Sequence, residues 1–540
     1  MKTISSSGSF KDFTNDNFIY IDKTKTIYNL LKTKKRVFIS RPRRFGKSLT
    51  LDTIGTLFEK GVEPYFKGTW IYDKWDESTY PVLRLSFLRY SVSDVEEFKR
   101  RLVKDISNFA KHNNVKNYEE DPTPDGSIDS LLESLKDEQR HMVILIDEYD
   151  CQLTANINNT ELYDSFREVI RSFYGCIKDK EAVKFMFVTG VTRLKDVSIF
   201  SVGSDISDIT NASVYSQMIG FTRDEIKKFY IDYLKLAASY ENNISVEDVT
   251  DDEVETILNK LAENYDGYCF DEFYKKKVFS TWSVNSFFQN LAANGFIHYG
   301  EYWYDNGGLP SILVNYLKTH ELNIFDYLEK DKLISVATDD FKNPTSLTTI
   351  NQNVLMCQTG YLTLHSNLKY KEMLLGIPNG EIYKALTSLM AAKFFEGNFK
   401  VFNDRGVNAL EEGTSEDIVS LLNTIVNSVT YDNFPISSES MVQNLVQAYL
   451  RGAGFDVRTE VHESKGRADL IVELTNRRIV FEFKYSENEI EAKTKLTEAI
   501  EQIKTRDYGN TLPKKDELLR IAAVFNADPK VRAFTAYKSV

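Results

Sequence analysis

At 540 residues the chain is too long for one ordinary domain. Its composition, 42% hydrophobic and 27% charged with 11 prolines, is that of a globular protein. A net charge of −12 argues against indiscriminate coating of nucleic acid. No apolar run reaches the roughly 18 residues of a membrane helix. Cys151, Cys176, Cys269 and Cys357 lie far apart without C-x-x-C spacing, which suggests reduced thiols rather than a disulfide frame or a zinc site.

Met1-Lys-Thr-Ile-Ser-Ser-Ser-Gly8 has no apolar core of a secretory signal, so a cytoplasmic location is expected. Phe18 to Thr24 reads as a short amphipathic lead-in, and Thr26 to Lys32 as helix-like. Val37-Phe38-Ile39 is expected to be a buried strand. Leu49 to Lys60 places Leu51, Ile54, Leu57 and Phe58 at helical spacing and stops at Gly61. Between them stands Arg41-Pro42-Arg43-Arg44-Phe45-Gly46-Lys47-Ser48. A strand entering a loop that opens a helix at Gly-Lys-Ser is the setting of a phosphate-binding loop. The helix N-terminus offers unpaired N–H groups and a positive dipole end. Gly46 would let the backbone approach the phosphate, Lys47 would reach the outer phosphates of a nucleotide, and Ser48 would hold magnesium. Arg41 stands where the generic pattern has glycine. The basic cluster from Lys32 to Lys47 reads as phosphate-facing rather than as a nucleic-acid patch.

Pro81 to Phe87 alternates apolar residues and reads as a second strand. Val95, Phe98, Leu102, Ile106 and Phe109 mark a helix. Asp121 to Gly126 reads as a turn-rich break. Met142-Val-Ile-Leu-Ile-Asp-Glu-Tyr-Asp150 begins with five apolar residues, the mark of a strand buried on both faces of a parallel sheet. Ligands of such sheets lie at the carboxyl ends of strands, where Asp147 and Glu148 fall. Asp147 suits a magnesium ligand, direct or through water. Glu148 suits the group that orients and deprotonates the attacking water. Val183 to Gly190 is a third buried strand; at its end Thr189 and Thr192 are candidates to touch the γ-phosphate or the water, and Arg193 to sense phosphate charge. The pattern is α/β and doubly wound.

Residues 10–400 resemble an AAA-ATPase-like family that often precedes a PD-(D/E)XK nuclease domain in bacterial proteins. The resemblance rests on Tyr20 to Thr24, the R-P-R-R-F-G-K-S loop, Leu145 to Asp150, Val188 to Arg193 with Ser198 to Ser201, and Gly220 to Thr222. Tyr265 to Tyr268, Trp282 to Val284 and Ile377 to Asn379 also fit. In that family the loop begins with arginine, as here. The resemblance implies a P-loop ATPase, with Lys47 and Ser48 at phosphate and magnesium and Asp147 and Glu148 as the acidic pair. Residues 221–424 read as a mostly helical lid or connector, with helices expected over 225–236, 252–262, 305–317, 380–395 and 415–428. Tyr265 to Phe270 and Trp282 would pack a small β element or contact a partner.

Residues 425–540 carry a second constellation. Residues 451–540 hold 17 Lys+Arg against 15 Asp+Glu, so the rest of the chain carries −14. Ser438 to Leu450 is an amphipathic helix ending at Gly452 and Gly454. Ala468 to Leu474 and Ile479 to Lys484 are two strands joined by a polar turn. Period two puts Glu482 and Lys484 on one face, and an antiparallel partner can bring Asp469 beside them. Asp469 and Glu482 would hold one or two magnesium or manganese ions. Lys484 would position or activate a water, or stabilise charge on phosphorus. Glu439 could complete the metal shell. This stretch resembles the PD-(D/E)XK nuclease fold, and the resemblance includes Ala499 to Lys504, with Gln502 as an extra candidate.

The expected architecture is therefore α/β: a P-loop NTPase parallel sheet with helices on both faces (1–220), a mostly helical connector (221–424) and a C-terminal restriction-endonuclease-like α/β domain (425–540). The expected activity is an ATPase that regulates or drives a metal-dependent nuclease. ATP and magnesium are its cofactors, nucleic acid, DNA before RNA, its partner, and a homo-oligomer through the ATPase domain is compatible with it. The alternative is a nucleotide-dependent switch or protein remodeller whose last domain binds without cutting.

Overall fold

The computed structural model describes residues 1–15, 18–194, 206–303, 311–317, 327, 331–342, 344, 346–368, 371–386, 406–427, 436–453, 455–463, 466–510 and 514–540. The chain divides into two compact units. The first comprises Met1–Leu322 with Asp331–Ile382, and the second Asn323–Lys330 with Tyr383–Val540. Among the described residues no helix is long and apolar enough to cross a membrane.

The first unit is built on a five-stranded sheet: β1 (Arg36–Ser40), β2 (Val82–Ser86), β3 (Met142–Asp147), β4 (Val183–Gly190) and β5 (Ser207–Asp208). The order is β2-β3-β4-β1-β5 and every pairing is parallel. Ile39 stands opposite Thr189, and Ser86 opposite Asp147. The carboxyl ends of β1, β3 and β4 therefore share one edge, as the sequence led us to expect. β1 is buried along its whole length, and β3 up to its final Asp147. That burial explains unbroken apolar runs rather than alternation.

The helices Lys47–Lys60, Val95–His112, Pro124–Asp137 and Thr160–Ile177 flank the sheet region in sequence. The third begins inside the stretch read as a break. Thr123 caps it, accepting from the Gly126 N–H at 3.1 Å, and Pro124 opens the first turn, where its missing N–H costs nothing. Turn-forming residues at Asp121 to Gly126 were therefore a helix start.

Beyond residue 220 the helices Arg223–Phe229, Ile231–Asn242, Asp251–Tyr265 and Thr281–Asn294 follow. Glu225 and Glu253 each complete a capping box, with Thr222 and Thr250. Two short strands, β6 (Tyr268–Cys269) and β7 (Lys277–Val278), form a small antiparallel ladder. A three-stranded antiparallel sheet, β8 (Ile334–Ala337), β9 (Thr363–Leu368) and β10 (Glu372–Gly376), was not foreseen. The expected helix over 305–317 is described as Ser311–Leu317, and that over 380–395 for 380–386; their remaining residues, like Ser198 to Ser201 and Gly454, lie outside the described residues.

The second unit holds a sheet of β11 (Asp456–Glu463), β12 (Gly466–Glu473), β13 (Arg477–Ser486), β14 (Glu517–Asn526) and β15 (Ala533–Ser539), in that spatial order. Only β13 and β14 run parallel, and the helix Glu489–Arg506 makes their crossover. Ile479, Phe481 and Phe483 pack with the helices Ser415–Asn427 and Glu439–Gly452. Val480 packs on the opposite side with Ala499 and Ile503 of the crossover helix.

Candidate functional site

In the first unit the phosphate-binding loop leaves β1 at Ser40 and ends at Gly46, the residue before a 14-residue helix. Gly46 has φ 97, and an added Cβ there would meet nothing within 4 Å. No side chain caps the helix, so its first N–H groups stay available to an anion. Lys47 is 6% exposed and its Nζ donates to the carbonyls of Arg41 at 3.0 Å and Pro42 at 2.9 Å. Burial lowers its pKa, against the pull of Asp147, Glu148 and Asp150. Ser48 Oγ donates to Asp147 Oδ2 at 2.6 Å, which joins the two expected magnesium ligands.

Glu148 takes φ 52, an uncommon backbone angle for a residue with a Cβ. Its Oε2 is buried without a hydrogen-bond partner among the described residues. Burial, then the Asp147 charge, raises its pKa, the direction that suits a general base. Thr189 Oγ1 is likewise buried and unsatisfied. A buried cation, an open glycine cradle and two orphaned oxygens fit a bound nucleotide triphosphate with its magnesium.

Arg43, Arg44, Phe45, Gly46, Lys47, Ser48 and Glu148 all line one cavity of about 430 Å³. Arg41, Pro42 and Arg193 do not; they line a separate, smaller recess. The Arg41 guanidinium is buried, donates to the carbonyls of Ser40 (2.8 Å) and Thr210 (2.7 Å), and has its pKa lowered by burial to about 9. Arg193 is paired with Asp208 at 2.5 Å. Thr192 is engaged with Asp150, to which its N–H and Oγ1 donate at 2.6 and 2.5 Å. The structure thus commits these three side chains to holding loops together.

Sequence reading missed the apolar part of the cavity lining. Ile19, Ile21, Ile27, Met218, Ile219 and Phe221 give the same cavity an apolar chamber wall, and Ser5 to Gly8 line it too. The N-terminal segment is pinned across it: the Ile19 N–H donates to the Thr3 carbonyl at 2.8 Å, Gln289 Nε2 to the Ile4 carbonyl at 3.1 Å, and the Phe10 N–H to Asp52 at 2.7 Å. The only signal was the run Ser5-Ser-Ser-Gly8, too short to carry a reading.

In the second unit Glu482 is 0% exposed on β13. Its Oε1 accepts from Lys484 Nζ at 2.9 Å, and its Oε2 is buried with no hydrogen-bond partner among the described residues. Lys484 also reaches Glu439 at 3.3 Å. The β12–β13 ladder runs from Glu473↔Arg478 to Leu470↔Phe481. At the next step the Asp469 carboxylate takes the Phe483 N–H at 2.8 Å. Gln443, one turn after Glu439, donates to the Asp469 carbonyl at 2.6 Å and fixes helix to strand. Glu439, Asp469, Glu482 and Lys484 are thus brought together. Gln502 instead donates to the Tyr508 hydroxyl at 3.3 Å. Arg506, which sequence reading passed over, donates to the same hydroxyl at 2.9 Å and feels the charges of Glu482 and Asp469.

Burial, then the nearby Asp469 charge, raises Glu482 to about 7. Burial works against the Lys484 ammonium, but Glu482, Glu439 and Asp469 outweigh it and the pKa rises. Among the described residues no three His, Cys, Asp or Glu side chains converge to hold a metal alone. Two carboxylates with one orphaned oxygen do suit magnesium, which keeps several waters and takes substrate phosphate oxygens besides one or two carboxylates.

The Glu482 shift carries a stability prediction for the chain in chelator. Folded, Glu482 keeps its proton up to about 7; unfolded, only to about 4.5. The folded state therefore binds more protons between those values, and stability falls as pH rises through that window. Melting temperatures measured across it should decline, and Glu482→Gln should flatten the decline; an equal slope in both chains would refute the assignment.

One family match falls within each of the two units. Residues 6–200 match the family described as predicted AAA-ATPase, and residues 437–534 match the PD-(D/E)XK nuclease superfamily. The "Uncharacterized protein in vnfD 5'region" of Azotobacter chroococcum mcd 1 is 27% identical over 531 residues, 95% of this chain and 94% of that protein. The crystal structure of Cdc6p from Pyrobaculum aerophilum aligns over 73% of this chain and 100% of its own, with 11% identity and a TM-score of 0.26.

Proposed function

We propose, for a chain that joins an AAA-ATPase-like domain to a PD-(D/E)XK nuclease superfamily domain, an ATP-regulated, magnesium-dependent phosphodiesterase acting on nucleic acid, DNA before RNA. The observation that supports the reading is the meeting of Asp469, Glu482 and Lys484 on two neighbouring strands with Glu439 at the start of a helix, Lys484 bonded to both glutamates.

Asp469 and Glu482 would hold the divalent ion, which polarises the phosphodiester and acidifies a bound water when present. Lys484, its pKa raised by three carboxylates, stays an ammonium. That favours charge stabilisation on phosphorus over proton abstraction as its role. Water adds to phosphorus and one P–O ester bond breaks, leaving a phosphate on one product and a hydroxyl on the other. At the other site, Lys47 and the free N–H groups after Gly46 would hold the triphosphate, Ser48 and Asp147 the magnesium, and Glu148 the attacking water. The apolar chamber would take the base.

The test is cleavage of labelled duplex DNA, single-stranded DNA and RNA with magnesium or manganese, with and without ATP. Wild type runs beside Lys47→Ala. We expect cutting that ATP alters only when Lys47 is present. The lysine makes charge-assisted hydrogen bonds of about 1.5–3 kcal/mol, so its loss should weaken ATP binding about 10- to 150-fold. Intact ATP hydrolysis with no substrate cut would replace this reading with a nucleotide-dependent switch or remodeller.

A further inference from the structure

Three motifs have no part in the chemistry above: Tyr265 to Tyr268, Trp282 to Val284 and Ile377 to Asn379. All three meet at the phosphate-binding loop or at its supports. Tyr268 lies edge-on to Phe45, ring centroids 4.7 Å apart. The Arg44 guanidinium stacks 3.8 Å from the centre of the Trp282 ring. Thr281 Oγ1 donates to the Arg44 carbonyl at 2.9 Å, and Trp303 Nε1 to the Arg43 carbonyl at 3.1 Å. Glu381, 1% exposed, ties these supports together by accepting from Ser283 Oγ and the Trp303 N–H, both at 2.7 Å. Asn379 Nδ2 donates to the Asp266 carbonyl at 2.7 Å. Gly267, at φ 96, allows the Pro378 carbonyl an approach that a Cβ would block at 2.0 Å.

The loop requires external support. Arg44 takes φ 66, in the left-handed region where a Cβ is strained. Phosphate loops ordinarily meet such angles with glycine, which pays no steric penalty. A non-glycine residue keeps that angle only when its surroundings over-determine it. Those surroundings include Trp282 on the Arg44 guanidinium and Thr281 on its carbonyl, and both line the same cavity as Lys47 and Glu148.

We propose that Trp282 is a positioning residue of the nucleotide site: stacked on Arg44, it holds the phosphate-binding loop in the left-handed turn that aims its N–H groups at the phosphates. This rests on the reading of residues 41–48 as a nucleotide site. It makes ATP affinity depend on a side chain more than two hundred positions away in sequence.

A double-mutant cycle tests it, with ATP affinity measured by calorimetry on the full chain with magnesium. Trp282→Leu keeps apolar bulk but loses the aromatic face. Arg44→Gly supplies a residue that adopts the angle unaided. Contacts of Trp282 unrelated to Arg44, such as its Nε1 bond to the Tyr302 carbonyl at 3.1 Å, contribute equally in both backgrounds and cancel. We expect Trp282→Leu to weaken binding about tenfold when Arg44 is present and less than about twofold in the Arg44→Gly background. Equal losses in the two backgrounds would overturn the proposal. If the leucine chain fails to fold, Trp282→Phe takes its place in the cycle; a smaller coupling of the same sign supports the proposal, and none overturns it. A wild type that binds no ATP would sink the nucleotide reading itself, whereas wild-type binding without coupling sinks this inference alone.

Discussion

Glu482→Gln should cut the rate of phosphodiester cleavage by about 10³-fold or more, because a bound cation supplies several kcal/mol of transition-state stabilisation and each 1.4 kcal/mol is tenfold. The substitution keeps the shape of a fully buried side chain and removes only its charge and one acceptor oxygen. Lys484 retains Glu439 at 3.3 Å, so no cation is stranded. Glu482 Oε2 has no hydrogen-bond partner among the described residues, so the fold does not depend on that atom. Initial rates on a labelled substrate, at saturating magnesium, decide it. Survival of more than about a tenth of the wild-type rate would mean that Glu482 does not hold the ion. ATP binding should be unchanged.

Glu148→Gln should separate nucleotide binding from hydrolysis. A general base contributes about 10²–10⁴-fold, and phosphate release should fall by that factor while ATP affinity holds. The geometry favours this separation: the Glu148 side chain lines the cavity, while Lys47 and the uncapped helix N-terminus would make the contacts that grip phosphate. Phosphate release and ATP affinity measured on one preparation check it. Undiminished release would end the assignment of Glu148, and loss of binding as well would make it a structural residue.

Much of this was legible in the sequence, for identifiable reasons. β1, β3 and β4 are buried on both faces, so their apolar runs are unbroken and end in polar residues at one edge of the sheet. Period two along β13 put Glu482 and Lys484 on one face, and the turn after Glu473 brought Asp469 alongside. Side-chain direction within the loop was not legible. Arg41 and Arg193 have the right chemistry for phosphate, yet desolvation and the partners Thr210 and Asp208 hold them elsewhere. Local rules cannot see such partners, because they arrive from distant segments. The same holds for the helix Pro124–Asp137, whose opening residues also favour turns. The three-stranded sheet over residues 334–376 joins strands of only four to six residues, and even the clean alternation of Ile334–Ala337 is too brief to stand out in the sequence.

The β12–β13 hairpin closes through Thr475 and Asn476, with the Leu474 N–H donating to the Arg477 carbonyl at 2.8 Å. Because strand faces alternate with every residue, that turn sets which side chains share a face. Lineages descending from this sequence should therefore tolerate drift at the two turn residues but not a change in their number. An insertion there that shifted the pairing by one residue would part Asp469 from Glu482 and Lys484 while every one of their side chains remained encoded. Because Leu470 and Val472 pack in one core and Ala468 and Ile471 in another, a slip that turned Asp469 away from Glu482 would disturb both cores as well, so the length of this turn protects site and fold together.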